Sequence, residues 1–150
     1  KLGYNGFKQN SAIGGKPIAC EAKPKNIQTD GYNEKKTKPK LNGEGGFNDY
    51  TIERLKKDAK ENLNLLSSGF VDGELQYIME FPFSAVYERL RKQLPEKRTV
   101  GTYTRMASFN FSHYADCSSI KIVYLNKGAI EKNQKYFNKY FYHFLMEQKG

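Results

Sequence analysis

Cysteine and histidine are scarce in this chain, and each scarcity removes a class of function. Two cysteines in 150 residues, Cys20 and Cys117, do not make a disulfide framework. Cys20 falls inside an apolar stretch and Cys117 near a turn, so both read as reduced thiols of a cytoplasmic protein. The only histidines are His113 and His143, and no C-x-x-C occurs, which excludes the common zinc patterns and a histidine-metal nuclease. No apolar run approaches the roughly 18 residues of a membrane span, and no signal peptide is visible. G-x-S-x-G and G-x-x-x-x-G-K-[ST] are both missing, which removes the nucleophile elbow and the phosphate loop. There is no internal repeat, and a chain of this length fits one domain over 1–150 that buries roughly 70% of its unfolded surface without a staple. The first residue is lysine rather than methionine, which leaves open a processed chain or a piece of a longer protein lacking an upstream helix.

Positive charge is what the chain has in excess. Lys and Arg number 25 against 16 Asp and Glu, a formal charge of +9, and a polyanionic partner is the natural inference.

The pattern along the chain alternates short strands with helical stretches. KLGYNGFKQN reads as a strand or strand end with a turn at Asn5-Gly6, and NSAIGG as a hairpin-like loop. KPIACEAK has period two, with Ile18, Cys20 and Ala22 on one face and Ala19, Glu21 and Lys23 on the other. Residues 24–46 hold two prolines, four glycines and five lysines with little apolar material, and read as a long mobile basic loop suited to contacting a substrate. GFNDYTIERLKKDAKENLNLLSSG predicts a helix over 47–66. Asn48 is its cap, Phe47 and Ile52 its staple, and Gly69 its stop, with Ile52, Leu55, Ala59, Leu63 and Leu66 as the apolar stripe. Arg54, Lys56, Lys57 and Lys60 fall largely off that stripe and read as a solvated face.

GELQYIMEFPF then predicts an interior strand, SAVYERLRKQL a short helix capped by Ser84, and GTYTRMASFNFSHY and IKIVYL two more strands. A last helix over 128–148 carries Ile130, Phe137, Phe141, Phe144 and Leu145 as its core stripe. The fold class is therefore α/β or α+β, a mixed central sheet flanked by helices. The 47–66 helix is expected to carry the chain from the Glu21 strand to the strand at 74–81 as a parallel crossover.

Glu21 and Lys23 share one face of an otherwise apolar strand. A carboxylate is a hard oxygen ligand for Mg²⁺, and an ammonium one strand period away sits over the same spot, where it can position a water or offset charge developing on a phosphate. With the preceding hairpin, YNGFKQNSAIGGKPIACEAK resembles the PD-(D/E)xK nuclease superfamily, as does the GGFNDYT stretch that follows. The resemblance covers residues 2 to about 83, with Asn5 in the family's aspartate position and Glu21, Ala22 and Lys23 as its E-x-K. It implies a restriction-endonuclease-like fold and Mg²⁺-dependent hydrolysis of double-stranded DNA. Glu21, position 5 and the Ala22 carbonyl would hold the metal, and Lys23 would act on the water. Lys25, Lys35, Lys36, Lys38 and Lys40 of the loop would contact the nucleic acid with Arg105 and Asn110, and a homodimer would let two sites cut two strands.

Asn5 departs from the pattern, because an amide is neutral. Either the chain is an inactivated variant, or catalysis has been lost, or Asp30, Glu44 or Asp49 completes the site, with Glu80 a weaker candidate that can instead pair with a lysine. A non-catalytic nucleic-acid-binding module using the same basic loop is the alternative from another class, and a protein–protein adaptor is a third.

Overall fold

The computed structural model describes residues 8–13, 16–61, 63–95 and 101–149. Asn5 lies outside them. The fold is α+β, and the described residues form a five-stranded mixed sheet, a separate two-stranded sheet and five α-helices. Strands β1 (Lys8–Ile13) and β2 (Lys16–Ile27) pair antiparallel, and β2 pairs in parallel with β4 (Asn64–Val71). Strands β5 (Glu74–Pro82) and β7 (Lys121–Leu125) complete the large sheet by antiparallel pairing, in the order β1-β2-β4-β5-β7. β3 (Gly45–Thr51) and β6 (Tyr103–Phe109) form the small sheet. Between the strands run α1 (Ile52–Glu61), α2 (Tyr87–Gln93), α3 (Phe111–Tyr114), α4 (Lys127–Lys132) and α5 (Lys139–Glu147).

Strand alternation divides the burial between two faces. Leu65, Tyr77, Met79, Phe81 and Ile27 enter one large core with Leu55 of α1, Leu90 of α2, Phe141 of α5 and the inner residues of the small sheet. Their neighbours Cys20, Leu66 and Ile78 form a thinner cluster on the opposite face. Odd-numbered residues of β2 therefore point to the large core, and Glu21, Lys23 and Lys25 share that face with Ile27.

The helix predicted over 47–66 is three elements instead. Residues 45–51 are strand β3, with Asn48 exposed and opposite Met106. Thr51 caps α1, its hydroxyl accepting the Arg54 backbone N–H at 3.0 Å. The buried stripe of α1 is Ile52, Leu55 and Asp58, while Ala59 is exposed. Leu66 belongs to β4, so the crossover from β2 ends at β4 and not at the strand over 74–82, which returns antiparallel after a two-residue turn at Asp72-Gly73. Gly69 is no helix stop. It lies in β4 directly under the Tyr77 ring, where a Cβ would run into the ring carbons.

Other boundaries shift as well. Residues 24–27 continue β2 and 45–46 open β3, so the irregular part of the basic loop is shorter than 24–46, and Tyr32 and Leu41 within it are buried in the core. Ser84 gives no cap, since Val86 precedes α2 without a side-chain bond. The helix over 128–148 is broken into α4, a 3-10 turn at Gln134–Tyr136 and α5. Asn138 caps α5 by accepting the N–H groups of Tyr140 and Phe141 at 3.0 and 3.1 Å. Among the described residues, no helix is long and apolar enough to cross a membrane.

Candidate functional site

Glu21 and Lys23 come together as the period of β2 requires, and the pair is tied into a larger charge network. Lys23 Nζ lies 2.7 Å from Glu21 Oε2 as an ion pair, off the line of a hydrogen bond, and 3.8 Å above the centroid of the Phe47 ring. Arg54 donates from Nη2 to Glu21 Oε1 at 2.6 Å and from Nε to both carboxylate oxygens of Asp58 at 3.1 and 3.2 Å. Tyr50 donates its hydroxyl to Asp58 Oδ2 at 3.1 Å. Two carboxylates thus face two cations, and Arg54, read from the sequence as a solvated lysine-like position, is the link between them.

Burial sets the titration of this network. It pushes the Asp58 carboxyl up, against the pull of Arg54 and Tyr50, and it raises the Tyr50 phenol far above its usual range with help from the Asp58 charge. Burial works against the Arg54 charge too, but Asp58 and Glu21 outweigh it and hold the guanidinium above its ordinary value.

These residues do not by themselves fit Mg²⁺. Both Glu21 oxygens already face a cation, and among the described residues no group of three His, Cys, Asp or Glu side chains converges. Asp30 is exposed in a turn, and Asp49 is exposed in β3 with φ 49°. Glu44 Oε1 accepts the Asn42 N–H at 3.0 Å. Glu80 stands opposite Leu66, on the face away from Glu21, where it accepts from the Asn64 amide at 2.8 Å and neighbours Lys121 across the sheet. Ala22 is exposed on that opposite face and pairs with Leu66 in the parallel ladder.

One strand period beyond Lys23, Lys25 enters the wall of a groove of about 610 Å³. Lys38 and Lys40 of the loop and Arg89 of α2 line it with Lys25, and Glu44 is its only carboxylate among the described residues. Backbone hydrogen bonds hold the loop in place. Leu41 donates to the Tyr136 carbonyl at 2.7 Å, Asn138 donates to the Leu41 carbonyl at 2.8 Å, and Phe111 donates to the Asn42 carbonyl at 2.8 Å. Tyr114 adds a hydroxyl bond to the Gly43 carbonyl at 2.6 Å. Gly43 has φ 58°, and a Cβ there would run into that hydroxyl. Gly45 is also obligatory, since a Cβ would stand 2.5 Å from the Phe109 ring and 2.9 Å from Lys23 Cβ, and its absence lets β3 close on β2.

The groove also holds polar groups. Asn110 caps α3, its Oδ1 accepting from the Ser112 N–H at 3.0 Å, while its own N–H donates to His113 Nδ1 at 2.9 Å. Bidentate reading of adenine needs both amide ends, so this cap leaves Asn110 only its NH₂ for a base. The bond to Nδ1 places the proton of neutral His113 on Nε2, and burial followed by the Arg89 charge lowers the histidine's pKa. Asn42 lines the groove with an amide side chain that makes no hydrogen bond to the described residues, and it is the freer amide for base contact.

Of the residues the sequence pointed to, Lys25, Lys38, Lys40 and Asn110 meet in this groove. Lys35 and Lys36 are exposed outside it, and Arg105 is exposed on β6 without lining it, although its neighbour Met106 does. Arg89, His113 and Asn42 were not legible as site residues, because each reads locally as helix surface, lone histidine or loop. Compared with protein-family models, curated proteins and solved structures, the chain finds no match.

Proposed function

We propose that the chain binds double-stranded DNA through this groove, holding the phosphate backbone with Lys25, Lys38, Lys40 and Arg89 while Asn42 faces base edges. The observation that carries the reading is the gathering of four cations against one carboxylate in a single groove, from three separate parts of the chain. Lys25→Gln, Lys38→Gln and Lys40→Gln together remove three phosphate contacts. The log–log slope of affinity against salt should then fall by about 2.7, at roughly 0.9 per phosphate. A native chain whose duplex affinity is flat from low to physiological salt would remove nucleic acid from consideration.

A second reading is restriction-type hydrolysis of DNA, and one placement favours it. Glu21 and Lys23 lie on the same face of β2 as Lys25, two periods and one period from the groove wall. The test is a cleavage assay of the native chain beside Asn5→Asp with Mg²⁺ on mixed-sequence duplex. Cleavage by the variant alone assigns the missing ligand to position 5, cleavage by both assigns it to another acid, and cleavage by neither leaves a binding module.

A further inference from the structure

A second basic hollow adjoins the groove, with Lys40 lining both. It spans about 530 Å³ between Lys40, Lys132, Gln134, Lys135 and Lys139, over Phe137 and Tyr142, with no carboxylate in its wall among the described residues. None of the four lysines forms an ion pair among the described residues. The two backbone bonds that tie Leu41 to Tyr136 and Asn138 seat Lys40 as the ridge between groove and hollow. Lys135 is oriented from behind, with Nζ 5.2 Å from the Tyr136 ring centroid and 3.5 Å from the side-chain Oδ1 of Asn33. Helix stability does not explain Lys139, since a cation in the first turn opposes the helix dipole and no acidic residue offsets it there. The aromatic floor offers no stacking face, because Phe137 is 2% and Tyr142 8% exposed. What the hollow presents is four ammonium groups beside the single amide of Gln134, and ammonium groups recognise phosphate without regard to sequence.

We propose that this hollow is a backbone clamp, which takes phosphates of the same duplex on the far side of Lys40 and adds affinity without sequence preference. The inference rests on the DNA reading above and assigns the duplex a footprint that runs across both depressions. The groove contacts base edges through Asn42, while the hollow, dominated by its four lysines, holds the backbone.

The test compares three proteins on mixed-sequence duplexes of about 20 base pairs, long enough at roughly 3.4 Å per pair to cross the ridge. They are the native chain, Lys132→Gln/Lys135→Gln/Lys139→Gln, and the groove variant Lys25→Gln/Lys38→Gln. The hollow variant should lower the salt slope by about 2.7, so the native chain loses about 40-fold more affinity than the variant between roughly 50 and 200 mM salt. The loss should be the same for every sequence. The three lysines are exposed, so melting should be unchanged, and each single substitution should show about a third of the slope change. A slope unchanged in the hollow variant but reduced in the groove variant overturns the clamp and leaves the DNA reading standing. Loss of inorganic phosphate binding without a change in duplex slope overturns it too, in favour of a small-anion site. If the native chain does not bind duplex at all, the DNA reading itself fails.

Discussion

Replacing Glu21 with Gln asks whether this carboxylate is a structural anchor or a frustrated ligand. In the native chain it lies 2.6 Å from Arg54 and 2.7 Å from Lys23, with a side chain only 17% exposed. Removing it leaves Lys23 and Arg54 with Asp58 as the one counter-charge among the described residues, and Asp58 pairs with Arg54 and accepts from Tyr50 but does not reach Lys23. Breaking a fully buried pair costs about 3–5 kcal/mol. Arg54 is 42% exposed and screened by water, so the cost here is discounted to about 1–3 kcal/mol. For a chain of this size, about 2 kcal/mol lowers the melting temperature by roughly 4–8 °C. The assay is thermal unfolding of Glu21→Gln, Arg54→Gln and the double variant. Coupling between the two sites should appear as a cycle energy of about 0.5–3 kcal/mol. A Glu21→Gln protein that melts at or above the native temperature would refute the argument, because it would show a carboxylate strained in the fold and kept for a ligand.

Gly69→Ala forces a Cβ into the Tyr77 ring and should destabilise by about 1–3 kcal/mol, read by chemical denaturation; an unchanged midpoint would mean that β4 and β5 are not in this register. His113 has a lowered folded pKa, so its contribution to stability is fully present above the ordinary value of 6.5 and is lost as pH falls through the folded value. Melting temperature should fall on acidification from neutral pH, and His113→Gln should flatten that slope; a native-like slope in the variant would place the titration elsewhere. Arg105→Gln, exposed outside the groove, should leave duplex affinity and its salt slope unchanged, in contrast to Arg89→Gln, which removes a groove cation.

Composition alone determined the expectation of a polyanionic partner, because net charge is a sum and needs no geometry. Period-two alternation in KPIACEAK was equally sufficient to put Glu21 and Lys23 on one face, and the structure keeps them there. Local pattern misled where two periods were superimposed. Ile52, Leu55, Leu63 and Leu66 match a helix, but α1 ends at Glu61, Leu63 lies in the connection after it and Leu66 in β4, and the Asp72-Gly73 turn was the signal that a strand precedes it. Asp58 in the apolar stripe of α1 was unreadable for another reason, since a buried carboxylate makes sense only once Arg54 and Tyr50 are known to meet it. The groove and the hollow belong to tertiary structure entirely. Lys25, Lys40, Arg89 and Lys139 are separated by up to more than a hundred positions, and only backbone bonds such as those of Leu41 with Tyr136 and Asn138 decide that their charges add at one surface. Electrostatic potential depends on distance in space, and the sequence reports distance along the chain.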